Sequence, residues 1–421
     1  MTYERIALHN TLESIHGLYT LNIGGMSMIS KKNQTIVYET VPVLEEKGVA
    51  ITTAFYKQLF SNHPELWNVF NHRNQEEGKQ QKALAHALLL AAKHIQHLDQ
   101  LTPVVQQIAH KHRSVEVKRE HYPVVGYYLL QAMREVLELP EDHPVLLAWK
   151  EYYYALADVF ITAEQQLYKE AAEQSGGWEG ERAFTVTSIV EENATMKSLY
   201  LSPADGKEIP LFEPGQYVTL YHRIPEEPYT HIRHYSLSNA YQPGVYRITV
   251  RKEGEGTTRG KVSHYLHNHI TLGDQLSLTA PAGTFTLNRG DKNPVVLLAG
   301  GSGITPLISM MNTIANETPK RSVKLLTVNR SKFDHPFMEE LEQLTEKMED
   351  THVQYIPSGS AAEVNRDDIQ QLIIEQIRMC AENTEYYISG PETFVTDLMH
   401  VLEKQGVSAE SIKTEVFNPT V

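Results

Sequence analysis

His112 shares a helical stripe with Val105, Ile108 and Val115, which turns its imidazole toward a packed interior. A buried imidazole is either a hydrogen-bonded core residue or a metal ligand, and the stripe alone favours the core role. His110, rotated by about 200° from Ile108, is expected to face solvent. Farther along, Gly300-Gly301-Ser302-Gly303-Ile304-Thr305-Pro306 follows the apolar run 295–299 and opens a helical stretch. Glycines there let the backbone approach a pyrophosphate, and Pro306 near a helix start costs no hydrogen bond. It is not the Gly-x-Gly-x-x-Gly fingerprint. One cysteine, Cys380, excludes an internal disulfide, a zinc ribbon, an iron–sulfur cluster and a Cys-x-x-Cys redox pair. Electron-transfer chemistry in this chain therefore needs an organic cofactor or a histidine-held metal.

The elements that must position these residues fall into three textures. The 421 residues exceed what one core usually holds. Residues 1–30 carry little pattern, with Gly24 and Gly25 before Met26 and Met28, and are expected to be a dispensable extension. Residues 31–172 read as all helix: Leu84, Leu88, Ala91 and Ile95 recur at three- and four-residue spacing. Turn signals at 63–64, 71–74, 102–103 and 139–144 separate the helices. Residues 178–288 change to short alternating runs at 184–190, 217–221, 246–251 and 275–279, punctuated by Gly and Pro, as in a small antiparallel barrel. Residues 293–421 alternate strands (295–299, 323–328, 386–388) with helices, which implies a parallel sheet covered on both faces.

Charge and hydropathy narrow the partners. A net charge of −14 with no long Lys/Arg run disfavours nucleic acid and anionic membranes. No apolar run approaches the roughly 20 residues of a membrane span, and residues 6–13 lack the apolar core of a signal peptide. A cytoplasmic monomer with small-molecule substrates is expected.

Several short segments together resemble the flavohaemoglobins, a family in which a haem-binding globin is fused to a ferredoxin-reductase-like flavin and nicotinamide module. In residues 31–172 these are Phe-Tyr at 55–56, Pro-Glu-Leu at 64–66, Phe-Asn at 70–71, Ile-Ala-His-Lys-His at 108–112, and Tyr122 followed by Val-Val-Gly at 124–126. The resemblance implies that His112 is the proximal ligand of a haem b iron. It implies a distal hydroxyl from Tyr56, distal-helix residues Gln80 and Leu84, and a haem-packing ring from Phe70. Tyr122 and Glu164 would hydrogen-bond the proximal imidazole. A carboxylate at the far ring nitrogen pushes electron density toward iron, which suits oxygen activation better than storage.

The resemblance continues through the other two regions. Arg233-His234-Tyr235-Ser236 fits the Arg-x-Tyr-Ser pattern that holds FAD, with the arginine toward phosphate and the tyrosine on the ring system. Tyr217 in Pro-Gly-Gln-Tyr and the Gly260-Lys261-Val262-Ser263 loop would add FAD contacts. Gly301 to Pro306 and Ser389-Gly390-Pro391 would bind the nicotinamide nucleotide. Glu415-Val416-Phe417-Asn418-Pro419 matches Glu-x-Phe-Gly-Pro, placing Phe417 over the flavin, and Lys111 and Glu415 would tune the redox centres. This chain has Ser389 where the family has cysteine, Asn418 where it has glycine, and Ser302 in place of valine. Residues 330–360 resemble the family only weakly. Arg330 and Ser331 follow the second strand, where a 2′-phosphate would sit, so NADPH is expected to serve beside NADH.

The function implied is nitric oxide dioxygenase: NAD(P)H electrons pass through FAD to haem, where oxygen and nitric oxide give nitrate. Hydride brings two electrons and haem accepts one at a time, so a flavin is the required adaptor. The same parts leave two alternatives, a hydroperoxide reductase or oxidase and a gas-binding sensor globin.

Overall fold

The computed structural model describes residues 29–254, 260–358, 366–378 and 380–417. Residues 1–28 of the extension expected at 1–30, and the positions Asn418 and Pro419, lie outside them. The chain forms a helical domain, an antiparallel barrel and a five-stranded parallel sheet, in the order the three textures imply. No described helix is long and apolar enough to cross a membrane.

The helical part comprises α1 (Lys31–Glu39), α2 (Val41–Asn62), α3 (His72–Glu76), α4 (Lys79–Lys93), α5 (Thr102–Ser114), α6 (His121–Val136) and α7 (Pro144–Glu173). Ile29 is buried, and the Ser30 hydroxyl accepts from Asn33 N to cap α1. Pro144 starts α7 at a position that needs no intrahelical N–H. Ile51, Phe55, Leu59, Ala92, Trp149 and Tyr152 are almost wholly buried between α2, α4 and α7; each large one contributes roughly 1.5–3 kcal/mol. Their polar atoms are satisfied: Trp149 Nε1 donates to Thr40 Oγ1 at 3.1 Å, and the Tyr152 hydroxyl to Ala91 O at 2.6 Å. Gly126 lets α6 meet α7, since a Cβ there would lie 2.4 Å from the Tyr153 ring.

The barrel runs β4-β3-β6-β1-β2-β5, all antiparallel. Its strands are β1 (Arg182–Glu191), β2 (Met196–Pro203), β3 (Tyr217–His222), β4 (His231–Ser236), β5 (Tyr246–Arg251) and β6 (Gln275–Leu278). A bridge from Leu237 to Ile248 brings the end of β4 back to β5. The expected runs fall in β1, β3, β5 and β6. β2 gives no alternating signal because both its faces are covered: Lys197 reaches His267 O at 2.7 Å, and Ser198 bonds Thr249 at 2.8 Å. Helix α8 (Lys261–Asn268) packs its Val262 and Leu266 on the barrel core.

The parallel sheet runs β11-β10-β7-β8-β9, from β7 (Val295–Gly300), β8 (Val323–Asn329), β9 (Thr351–Pro357), β10 (Glu385–Gly390) and β11 (Ile412–Val416). All six residues of β7 are buried, as a central parallel strand requires. Leu297 packs with Leu307 and Met311 of α9 (Ile304–Glu317) and Leu341 of α10 (Met338–Lys347). On the opposite face, Val296 and Leu298 pack with Ile373 of α11 (Arg366–Arg378) and Leu398 of α12 (Glu392–Lys404). Strand order reverses between β7 and β10, which opens a crevice at their carboxyl ends.

Candidate functional site

Three helices bring the proximal group together. His112, in the last turn of α5, sets its Nδ1 2.7 Å from Glu164 Oε1 and 3.2 Å from the Tyr122 hydroxyl. That hydroxyl donates to the same Glu164 oxygen at 2.5 Å. Glu164, on α7, is 2% exposed. Burial, reinforced by the neighbouring carboxylate, raises the Tyr122 pKa and keeps its proton in place. With Nδ1 committed to the carboxylate, Nε2 is the ring nitrogen left for a metal. This donor set fits a haem iron.

On α2, Tyr56 is buried beside Phe60 (5.8 Å, stacked) and Phe70 (5.9 Å, edge-on). Burial raises its pKa, and a hydrogen bond to Gln75 offsets part of the rise. Gln75 Nε2 also donates to Gln80 Oε1 at 2.5 Å, so Tyr56, Gln75 and Gln80 form one buried polar group. Leu84, one turn beyond Gln80, packs against the same core. Gln75 was not legible in the sequence: it sits just past the polar 71–74 turn, in a helix too short to show a period.

In the barrel, β3 and β4 pair so that Tyr217 faces Ser236, Val218 faces Tyr235 and Thr219 faces His234. The Pro-Gly-Gln-Tyr and Arg-His-Tyr-Ser segments are thus neighbouring strands, with Arg233 next in register opposite Leu220. His234 bonds Thr219 Oγ1 at 2.9 Å, and burial, with Lys111 and Arg233 nearby, lowers its pKa to about 3. Gly215, at φ +105°, admits no side chain, because a Cβ would lie 2.0 Å from Phe285 O. Gly260 precedes α8, which has no side-chain cap, so its first N–H groups are available to an anion. Ser263 Oγ holds this turn, accepting from Glu253 N and donating to Gly260 O, both at 3.1 Å. Lys261 pairs with Glu227 at 2.6 Å, and Val262 is buried beneath. These groups fit a flavin nucleotide.

The nicotinamide segments meet at the switch between β7 and β10. Gly301, Ser302 and Gly303 lead into α9, where Ile304, Thr305 and Pro306 are buried and Thr305 Oγ1 donates to Ser302 O at 3.0 Å. A Cβ on Gly303 would lie 2.1 Å from Ser389 O, so the 301–303 turn and the Ser389-Gly390-Pro391 turn touch through backbone. Phe417 N donates to Gly390 O at 2.7 Å, and Val416 pairs with Gly390. Ser389 Oγ and Glu415 Oε2 are buried without a protein partner among the described residues, on register-paired positions of β10 and β11. Two orphaned polar atoms at a strand switch fit a bound nucleotide. Arg251, which no sequence signal marked, places Nη1 2.8 Å from where a Gly301 Cβ would stand, putting a cation against this loop.

The helical domain and the barrel share a seam. Arg113 donates to Ala280 O at 2.8 Å and also to Pro281 O, and Thr279 Oγ1 donates to Ser114 O at 3.1 Å. His110 corrects the sequence expectation: it is not in solvent but in this seam. Its Nδ1 accepts from Gly283 N at 3.4 Å, and burial, with Arg113 adding, lowers its pKa to about 4. A helical wheel places a residue relative to one core only, and here a second domain covers the outer face. Burial lowers Lys111 to about 8 against a partial rise from Glu415, and raises Glu415 to about 8 against a partial lowering from Lys111. The residue before His112 is therefore electrostatically joined to β11.

Residues 53–160 match the globin family model, and residues 297–400 match that of the oxidoreductase NAD-binding domain. A flavohemoprotein of Bacillus cereus is 45% identical over 399 residues, spanning 93% of this chain and 99% of its own. The chain belongs to the flavohemoprotein family. Flavohemoprotein A of Dictyostelium discoideum is 40% identical over 400 residues, covering 93% of this chain and 98% of its own. The crystal structure of a flavohemoglobin from Malassezia yamatoensis with bound FAD and heme superposes with a TM-score of 0.81 at 25% identity, covering 93% of this chain and all of that one. Against this flavohemoprotein architecture, the helical region is the globin, the barrel the flavin domain and the parallel sheet the nicotinamide domain.

Proposed function

We propose that this flavohemoprotein is a nitric oxide dioxygenase of the cytoplasm, an NAD(P)H-dependent oxidoreductase that uses one haem b and one FAD. Each NAD(P)H yields two electrons and a proton; each electron, with one O2 and one NO, gives one nitrate. When bound, haem supplies an oxygen-binding iron, and FAD splits the electron pair of a hydride into single electrons. The observation that carries the reading is the buried Glu164 carboxylate on His112 Nδ1. It gives the imidazole anionic character, which favours oxygen chemistry over reversible storage or sensing.

The other residues take roles their positions support. Tyr56, held protonated by burial and oriented by Gln75, offers a hydroxyl on the distal side, with Gln80 in the same network. Phe70 and Leu84 give the apolar walls. Arg233, His234, Tyr235, Ser236 and Tyr217, with the 260–263 turn, hold FAD, and Val416 and Phe417 cover it. Gly301 to Pro306 and Ser389 to Pro391 receive the nicotinamide nucleotide. Lys111 and Glu415 set the charge between the centres. Purified holoprotein supplied with NO, oxygen and NADH is expected to form nitrate in proportion to the NO consumed. No nitrate, with haem and FAD both loaded, would remove the reading.

A further inference from the structure

The barrel sends two arginines from one strand toward the nicotinamide domain. Arg247 and Arg251 stand at alternate-parity-matched positions of β5, so their side chains leave the same face. Arg251 reaches the glycine turn at Gly301. Arg247 is 4% exposed, and every nitrogen of its guanidinium is engaged. Nη1 and Nη2 grip the two oxygens of Glu340 on α10, at 2.7 and 3.0 Å, a bidentate pair across the domain boundary. Nε donates to Ser238 Oγ at 3.1 Å, and Nη2 also donates to Ser238 O. The guanidinium carbon lies 4.9 Å from the centre of the Phe337 ring, and Phe337, at φ +60°, opens α10 from the left-handed region. A bulky residue adopts that conformation only where its surroundings hold it there.

The ends of this pair are tied to the two ligand-bearing elements. Ser238 follows closely on Ser236, the last residue of β4, the strand assigned to flavin. Glu340 Oε1 accepts from Asn312 Nδ2 at 2.6 Å, and Asn312 is on α9, the helix that the 301–303 turn opens. Earlier on α9, Ser309 Oγ donates to Asn239 O at 2.7 Å, and Asn239 Oδ1 accepts from Arg247 N at 3.0 Å. A closed circuit of hydrogen bonds thus joins the flavin strand to the nucleotide helix. We propose that Arg247 and Glu340 are positioning residues that set how closely the nicotinamide ring meets the flavin. In hydride transfer a C–H bond of the reduced nicotinamide breaks and its hydrogen leaves with both electrons, so the rings must be in near contact. A misplacement of about 1 Å costs roughly a hundredfold in rate. The pair acts through Ser238 and Asn312 and not on the reacting atoms. The proposal rests on flavin and nucleotide binding as assigned above, whatever the oxidant.

The test is an equilibrium titration of anaerobic, photoreduced holoenzyme with NAD+, read as long-wavelength charge-transfer absorbance. The midpoint reports nucleotide affinity, and the amplitude reports how closely the rings stack. Arg247→Met with Glu340→Leu removes both charges together, so no ion is left buried alone. This variant is expected to keep its FAD, its Soret band and the native midpoint, while the amplitude falls severalfold. Flavin reduction by saturating NADH in stopped-flow should slow by about tenfold to a hundredfold. Arg247→Lys keeps a cation opposite Glu340 but loses the planar fork. It is expected to lower the amplitude likewise, and it carries the test alone if the double variant does not load FAD. A native amplitude in Arg247→Lys would overturn the proposal, because charge without the fork would then suffice. So would a native amplitude and reduction rate in the double variant, or a weakened midpoint that accounts for the whole loss. Absence of both the charge-transfer signal and flavin reduction in the native enzyme would instead sink the reading of the nicotinamide domain, and the proposal with it.

Discussion

Oε1 of Glu164 lies 2.7 Å from Nδ1 of His112, bringing a carboxylate from the longest helix against an imidazole 52 residues earlier. The same oxygen receives the Tyr122 hydroxyl, so a single atom fixes both the tautomer and the orientation of the ring. Glu164→Gln is expected to keep haem bound but to lower the iron–imidazole stretching frequency in resonance Raman spectra. NO-dependent NADH oxidation should fall about tenfold to a hundredfold. An unchanged stretching frequency would show that the carboxylate does not act on the ligand.

Arg113 ties the proximal helix to the barrel through Ala280 O and Pro281 O. Arg113→Met should leave direct NADH-to-ferricyanide transfer intact, because the flavin and nicotinamide groups are untouched. Haem reduction in stopped-flow should slow by about tenfold or more, as charge-assisted hydrogen bonds worth roughly 1.5–3 kcal/mol each are lost. Equal slowing of both reactions would point to general unfolding instead.

Acid should open the same seam. His231, 3% exposed, lies with its ring 4.9 Å from that of His72 of the globin, tilted by 49°. Burial, then the neighbouring His72 and Arg233, lowers its pKa from 6.5 to about 4. Between these values the unfolded chain binds more protons than the folded one, so stability rises with pH. The contribution is complete above pH 6.5 and is lost as pH falls toward 4. His110 in the seam follows the same sign. Neither ring nitrogen of His231 makes a hydrogen bond, the nearest acceptor being Glu227 Oε2 at 3.7 Å, so His231→Phe removes a titration without breaking a hydrogen bond. Thermal unfolding scans of holoprotein across this range should show a shallower acid limb in the variant. Superimposable limbs would refute the assignment.

Gly303→Ala forces a methyl to within 2.1 Å of Ser389 O. Overpacking of this kind costs about 1–3 kcal/mol. Flavin reduction by NADH should be severely slowed, while the Soret spectrum of the globin stays native. A normal rate would mean that the two turns separate freely.

Much of this was legible in the chain, for reasons that differ by residue. Tyr122 and Glu164 stood out as polar groups inside apolar helices, and the structure gives that oddity its cause in a shared hydrogen bond. The glycine turn could be read because a buried strand and a helix flank it. His110 was misread because its partner surface belongs to another domain, and periodicity carries no information about docking. Gln75 and Arg251 left no signal: Gln75 sits on a helix too short to show a period and reaches Tyr56 on another helix, and Arg251 sits at a strand end beside the distant Gly301. Ser331 had the right type and place, but its hydroxyl is taken by Asp334, a local competition that composition cannot reveal. β2 escaped because a strand covered on both faces loses the alternation by which strands are recognised.

The sheet order places β11 beside β10, although it follows the other described strands in the chain. A ribosome delivers the chain from its N-terminus and domains fold as they emerge. The globin can therefore mature well before Phe417 reaches Gly390 and completes the crevice. During that interval the helical domain stands folded without a finished electron-donor crevice, so its supply of electrons waits on the docking of one short strand.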